Sequence, residues 1–408
     1  MNSGLLGRKL GHSYSPQIHS FLGEYSYVLF EKEPEEVGDF VRNGDYTGIN
    51  VTIPYKKDVI PYLDELSPTA EKMGAVNTIV RRSDGTLFGH NTDYFGFLYM
   101  VRQSGIQVAG KKVLVLGSGG ASNTTVKALA DLGAQVVIIS RSGENNYGNL
   151  HLHADAAVIV NTTPVGMYPN TGAAPLDLTR FPHLEGVLDV IYNPARTQLL
   201  LDAETLGLPN ANGLWMLVAQ AKESAEYFLD KAIDDSVIET IYRKLSAQMQ
   251  NIVLIGMPGC GKSTIGALLA ERLHRKIVDA DAEIIRLAGK TIPEIFAQDG
   301  EVVFRDWETK ALAQLGKQSG LVIATGGGCV TRQRNYPLLH QNGSIFWLRR
   351  DTSLLPTDGR PLSQRNSLSD MYETRRPLYE AFADFSVDNN STAEETVRAI
   401  LAHLEGNP

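Results

Sequence analysis

The sequence predicts an α/β protein in two halves, each built around parallel strands. Three observations predict it. The runs "KVLVLG", "AAVIVN", "NIVLIG" and "LVIAT" are short, apolar and bounded by glycine or polar residues, which suits strands covered on both faces. Two of these runs lead into a glycine loop that opens a helix, once near residue 117 and again near residue 256. A chain of 408 residues also exceeds one ordinary domain, so two or three are expected. Apolar residues at 43% against charged residues at 21% give the balance of a globular protein with a proper core. No apolar run nears the roughly 20 residues that span a bilayer, and Met1-Asn2-Ser3 opens no signal-like segment. A net charge of −8 disfavours general nucleic-acid binding and leaves room only for a local basic pocket. Cys260 and Cys329 are too few for a disulfide framework, so a reducing cytoplasm is expected.

The elements follow in order. Residues to about 100 mix short strands and helices and carry polar-glycine motifs. From Lys111 a β-α-β unit begins, with strand "KVLVLG", helix "ASNTTVKALADLGA" and strand "QVVIISR", and it runs to about residue 211. The segment "GLWMLVAQAKESAEYFL" has helical spacing and returns, over about 212–245, to pack on the first piece. The polar stretch "YRKLSAQMQN" reads as a short linker, which places a domain boundary near residue 248. The domains expected are thus 1–248, with a substrate part and a nucleotide part, and 249–408.

The loop "VLGSGGASN" follows a strand and opens a helix, the context in which glycines let a dinucleotide pyrophosphate approach a helix N-terminus. Gly117, Gly119 and Gly120 fit, while the third glycine position is Ser122. The second strand ends in Ser140-Arg141-Ser142, where an acidic residue would grip a free ribose hydroxyl. A guanidinium flanked by hydroxyls suits a 2′-phosphate instead, hence a Rossmann-like NADP domain.

"LGHSYSPQIH", "GINVTIPYKKD" and "GAVNTI...GHNTDYFGF" set hydroxyls, amides, Lys56 and Asp93 in glycine-rich turns, as a polyhydroxylated carboxylate ligand would require. Lys56 and Asp93 could form a proton-transfer pair for ketone reduction; the plainer alternative is an exposed ion pair. These stretches, with "NTTPVGMYP", "VLDVIYNPARTQLL" and "NGLWMLVAQA", resemble the shikimate dehydrogenase family over about 230 residues. The resemblance implies that Ser13 and Ser15 hold the substrate carboxylate. Thr52, Asn77, Tyr192 and Gln220 would contact ring hydroxyls or line the pocket, with Lys56 as acid/base and Asp93 beside it. It further implies that Gly117, Ser118, Gly119, Gly120 and Ala121 grip NADP(H) together with Ser140, Arg141 and Ser142. Val190, Gly213 and Met216 would lie along the nicotinamide. The stretch after Ser142 lacks the family's second basic residue, so NAD-linked oxidation of shikimate or quinate is the second reading.

"GMPGCGKS", Gly256 to Ser263, has full P-loop spacing between a strand and the helix "TIGALLAERL". Backbone N–H groups of Gly259, Cys260, Gly261 and Thr264 would cradle the phosphates of ATP. Lys262 would reach the β- and γ-phosphates, and Ser263 would ligate Mg2+. "KIVDADAEI" puts Asp279 and Asp281 two apart, read as one face of a strand end. Arg305 suits a small carboxylate in bidentate fashion, and Gly326, Gly327 and Gly328 let backbone approach a compact ligand.

This set, with "GRPLS" and "RRPLYEAFAD", resembles the shikimate kinase family over 251 to about 404. The resemblance implies Asp281 at the acceptor hydroxyl, Arg305 and Arg375 on the substrate carboxylate, and the glycine run along the ring. Arg360 would meet the transferring phosphate from a lid, and Asp279 would act on Mg2+ through water. The lid stretch is shorter than usual, with Pro356 and Thr357 near the place of an adenine-facing arginine. Cys260 and Cys329 read as small buried fillers rather than a redox pair. No histidine spacing suits zinc, and His12 and His90 read as structural hydrogen-bonders. The expected whole is a bifunctional cytoplasmic enzyme acting on 3-dehydroshikimate and shikimate, with no nucleic-acid or membrane partner. The alternative from another class is that one half is a non-catalytic binding module.

Overall fold

Sixteen strands form three sheets in the computed structural model, which describes residues 2–11, 13–355 and 368–406. His12, Pro356, Thr357 and Arg360 lie outside the described residues. The first sheet contains β1 (Asn2–Gly7), β2 (Ser26–Glu31), β3 (Gly48–Val51), β4 (Glu65–Leu66), β5 (Thr78–Arg81) and β6 (Leu87–His90), in the order β2-β1-β3-β5-β6-β4. β1 runs parallel to β2 and β3, whereas β5 is antiparallel to β3 and β6. The second contains β7 (Lys112–Leu116), β8 (Gln135–Ile139), β9 (Val158–Asn161), β10 (Gly186–Asp189) and β11 (Asn210–Ala211), ordered β11-β10-β9-β7-β8 and parallel throughout. The third contains β12 (Asn251–Ile255), β13 (Ile277–Asp279), β14 (Val322–Ala324), β15 (Gly343–Arg349) and β16 (Phe385–Asp388), ordered β13-β14-β12-β15-β16 and again parallel. The protein is thus mixed α/β with parallel sheets.

The continuous apolar runs are the central strands. Every residue of β9 and β12 is buried, because helices or loops cover both faces of a parallel sheet. The helix Leu214–Leu229 does return to the N-terminal piece, packing on helix Asp93–Ser104. A side chain at Gly96 would put its Cβ 2.6 Å from the Met216 carbonyl oxygen, so glycine permits that close crossing.

The chain divides into two compact units: 1–165 with 174–192 and 202–245, and 246–408 with 166–173 and 193–201. The division near 245 lies close to the expected boundary, but the expected polar linker is not a loop. It forms the last turns of helix Ser236–Met249. Ile238, Ile241, Leu245 and Met249 are buried at helical spacing, an apolar stripe that the polar residues between them obscured. No helix among the described residues is long and apolar enough to cross a membrane.

Candidate active sites

In the first unit, Lys56 follows β3 and Asp93 opens helix Asp93–Ser104. Lys56 Nζ lies 2.5 Å from Asp93 Oδ2. The two face a cavity of about 320 Å³ together with Ile53, Asn91, Gly120 and Thr124. Gly120 is the first residue of the helix after the first glycine loop, so the ion pair and that loop border one space. Ser13, Ser15, Thr52, Asn77, Tyr192 and Gln220 are not among the described residues that line it.

Those residues sit in the surroundings instead. Asn77 is buried; its amide donates to Thr92 Oγ1 at 3.0 Å and its Oδ1 accepts from Thr92 N at 2.7 Å. Thr92 Oγ1 reaches Gln220 Oε1 at 3.4 Å and Ser224 Oγ at 3.1 Å, and Asn50 donates to Ser224 at 2.7 Å. This polar web immediately precedes Asp93 and fixes the start of its helix. Sequence reasoning missed Asn50, Thr92 and Ser224. Ser15 N donates to Ser13 Oγ at 3.2 Å, and the ring of Tyr14 between them meets Tyr192 edge-on, centroids 6.1 Å apart. Burial, with Tyr14 nearby, raises the Tyr192 hydroxyl above its ordinary value.

Gly117 has φ +108°, and a Cβ there would lie 2.9 Å from Thr162 Oγ1. Ser122, the departure at the third glycine position, donates from Oγ to the Gly117 carbonyl at 2.7 Å and braces the loop. Ser118, Gly119, Gly120 and Ala121 are all exposed on its open side, and Gly117 is half-buried. Ser140 follows β8 and donates from N to the Asn145 carbonyl at 3.1 Å, while Arg141 and Ser142 stand exposed. Gly213 lies against Val190: a Cβ would fall 1.9 Å from the Val190 carbonyl oxygen. Met216 follows in helix Leu214–Leu229.

In the second unit, a cavity of about 560 Å³ gathers Gly259, Gly261, Lys262, Ser263, Thr264, Asp279, Asp281, Arg305, Gly326, Gly327, Gly328 and Arg375. Cys260 is not among its described lining residues. It is buried, and its N–H bonds the Met257 carbonyl. Lys262 Nζ donates to the Gly256 and Met257 carbonyls at 2.9 and 3.0 Å.

The strand-face expectation for the two aspartates requires correction. β13 ends at Asp279, and Asp281 lies in helix Ala280–Ala288. Asp279 Oδ1 accepts from Asp281 N at 2.9 Å, which caps the helix, and its Oδ2 accepts from Ser263 Oγ at 3.1 Å. Two hard oxygens flanking a P-loop suit Mg2+, which commonly takes one or two protein ligands plus phosphate and water oxygens.

Arg305 is buried, with Nη1 2.9 Å from Glu308 Oε2 and Nη2 3.3 Å from Glu301 Oε1. Burial alone would lower the guanidinium's pKa; Glu308 and Glu301 outweigh it and hold it above its ordinary value. Burial likewise raises the Glu308 carboxyl, against the pull of Arg305. A Cβ at Gly328 would fall 2.2 Å from Arg305 Nη1, so glycine is what lets the guanidinium lie on the loop. Arg375 Nη1 donates to the Gly327 carbonyl at 3.1 Å. Glu308 was missed, although its place three residues after Arg305 on one helix is a readable signal. Burial pushes the Cys329 thiol up to about 12, as fits an inert filler.

Comparison with known proteins finds matches for both parts of the chain. The family model for the shikimate dehydrogenase substrate binding domain matches residues 5–79, and the shikimate kinase model matches residues 258–405. A shikimate dehydrogenase (NADP(+)) of Clostridium perfringens strain SM101 is 36% identical over 267 residues, covering 60% of this chain and 98% of that one. The structure of a chorismate mutase/shikimate 5-dehydrogenase fusion protein from Clostridium acetobutylicum aligns with TM-score 0.57 and 36% identity, covering 60% and 96% of the two chains. Shikimate 5-dehydrogenase from Thermus thermophilus, in complex with NADP(H) and shikimate, aligns with TM-score 0.54 and 31% identity over 60% and 99%. The chain therefore belongs to the shikimate dehydrogenase family through its N-terminal part and carries a shikimate kinase domain after it.

Proposed function

We propose that the protein makes shikimate and then consumes it: NADPH-dependent reduction of 3-dehydroshikimate in the first unit, ATP-dependent phosphorylation of the shikimate 3-hydroxyl in the second. NADPH supplies the hydride and ATP the phosphoryl group. Lys56 gives a proton to the alkoxide that develops at the reduced carbonyl, and Asp93, 2.5 Å away, orients it. Asn77 and Gln220, joined through Thr92 in the polar web just before Asp93, would meet ring hydroxyls from beside the described cavity. Gly117 through Ala121 take the pyrophosphate, and Ser140, Arg141 and Ser142 the 2′-phosphate.

In the kinase half, Asp281 accepts the proton of the acceptor hydroxyl, and Arg305 and Arg375 hold the carboxylate. Lys262 and the loop N–H groups cradle phosphate, with Ser263 and Asp279 the residues that would hold Mg2+. What carries the reading is the single cavity that joins a P-loop, a carboxylate at Asp281 and two buried arginines. Neither a nucleotide switch nor a hydrolase needs that cation pair opposite the loop.

The test is one assay with purified chain, 3-dehydroshikimate, NADPH and ATP, following shikimate and its phosphate separately. Both products are expected, each dependent on its own cosubstrate. NADPH oxidation without phosphate transfer would reduce the second half to a binding module. Faster turnover with NADH would overturn the NADP assignment.

A further inference from the structure

Parallel strands deliver the residues just past their C-terminal ends to one edge of the sheet, where ligands of open α/β folds bind. β12 delivers the P-loop there, and β15, its neighbour, pairs Trp347 with Ile255. One residue beyond β15 is Arg350. Its Nη1 lies 3.7 Å from where a Cβ of Gly261 would stand, so the guanidinium rests beside the P-loop. Arg350 Nε is buried and has no hydrogen-bond partner among the described residues. Three other cations near the P-loop hold groups of the protein itself. Lys262 holds two loop carbonyls, Arg305 holds Glu308 and Glu301, and Arg375 holds the Gly327 carbonyl.

The neighbour on the next strand shows the contrast. Asn389, one residue past β16, is buried and bonded at both its amide nitrogen and its amide oxygen. Its amide donates to the Cys260 carbonyl at 2.5 Å, and its Oδ1 accepts from Thr396 Oγ1 at 2.7 Å. Asn389 ties down the loop, whereas Arg350, arriving at the same place, keeps a buried donor unspent. A buried unpaired N–H calls for an explanation, and a guanidinium aimed along a phosphate-binding loop has an obvious acceptor. On its outer side Arg350 borders a hollow of about 440 Å³ shared with Thr352, Tyr372, Glu373, Asp388 and Asn390. Arg350 therefore stands between the P-loop and a space with carboxylates and an aromatic ring on its walls.

We infer that Arg350 is a nucleotide-binding residue, holding the phosphate chain of ATP from the side of the P-loop opposite the acceptor. The inference rests on the kinase reading. It assigns part of nucleotide affinity to a residue fixed by the sheet edge rather than to the lid.

The experiment compares wild type with Arg350→Ala and Arg350→Lys by titrating ADP and adenosine, and by steady-state kinetics with ATP and shikimate. Arg350→Ala should weaken ADP binding and raise the KM for ATP about tenfold or more. Adenosine binding, the KM for shikimate and the thermal midpoint should hold. Arg350→Lys should recover part of the loss, since it restores charge without the planar fork. Unchanged ADP affinity in Arg350→Ala, with a wild type that does bind ADP and phosphorylate shikimate, overturns this inference alone. Equal loss of adenosine and ADP also overturns it, because phosphate would then not be the group contacted. A wild type that binds no ADP removes the kinase reading and this inference together.

Discussion

The two candidate sites are built in opposite ways. The kinase cavity collects loops and helix residues around one parallel sheet, and several of its charges find partners within a few residues: Arg305 with Glu301 and Glu308, Asp279 with the Asp281 N–H. Of the substrate-side residues expected for the reductase site, Lys56 and Asp93 are the ones found among the described residues of its cavity. That site relies on hydrogen bonds between residues far apart in sequence, 128 for Thr92 with Gln220 and 174 for Asn50 with Ser224. Short-range sites announce themselves as motifs. Long-range sites show their ends and hide their middle.

The sharpest way to break this comparison is to disable one site at a time. Lys56→Ala should lower reductase kcat by about a hundred- to ten-thousand-fold, and Asp281→Asn should do the same to the kinase. Each should leave the other rate intact. Loss of both rates from either change would mean that the sites are not separate. A smaller effect is expected from Gly328→Ala. The added methyl would occupy the space of the Arg305 guanidinium, so the KM for shikimate in phosphorylation should rise roughly tenfold to a hundredfold. If that KM does not move, Arg305 is not the carboxylate ligand.

The smallest effect concerns acid. His19 is buried against Tyr27, with ring centroids 3.9 Å apart; burial lowers its pKa from 6.5 to about 3, with Asn50 opposing. The unfolded chain takes up a proton there that the folded chain refuses. Stability is thus whole above pH 6.5 and is lost as pH falls toward 3. By pH 5 the loss is about 2 kcal/mol. Chemical denaturation at pH 7 and pH 5 should show it, and His19→Gln should flatten that slope. Reductase activity should then fail on acidification before kinase activity does. The reverse order would place the acid-sensitive element in the second unit.

Much of this was legible because the physical demand and the spacing coincide. A P-loop needs its glycines and lysine at fixed steps, and buried parallel strands need unbroken apolar runs. The misreadings have physical causes too. Asp-x-Asp looks like one strand face until the first aspartate caps a helix and the second enters it. The stretch ending at Met249 looks like a linker because its polar residues outnumber the apolar ones that make its buried stripe. Asn50, Thr92 and Ser224 carry no local signal, since each becomes informative only when the chain has folded them together.

The divided use of Asp279 separates two jobs within one carboxylate. One oxygen belongs to the helix cap and the other to Ser263. The Asp281 backbone is therefore held by an oxygen that the Ser263 contact does not use, and a change of partner at Ser263 leaves the cap its acceptor.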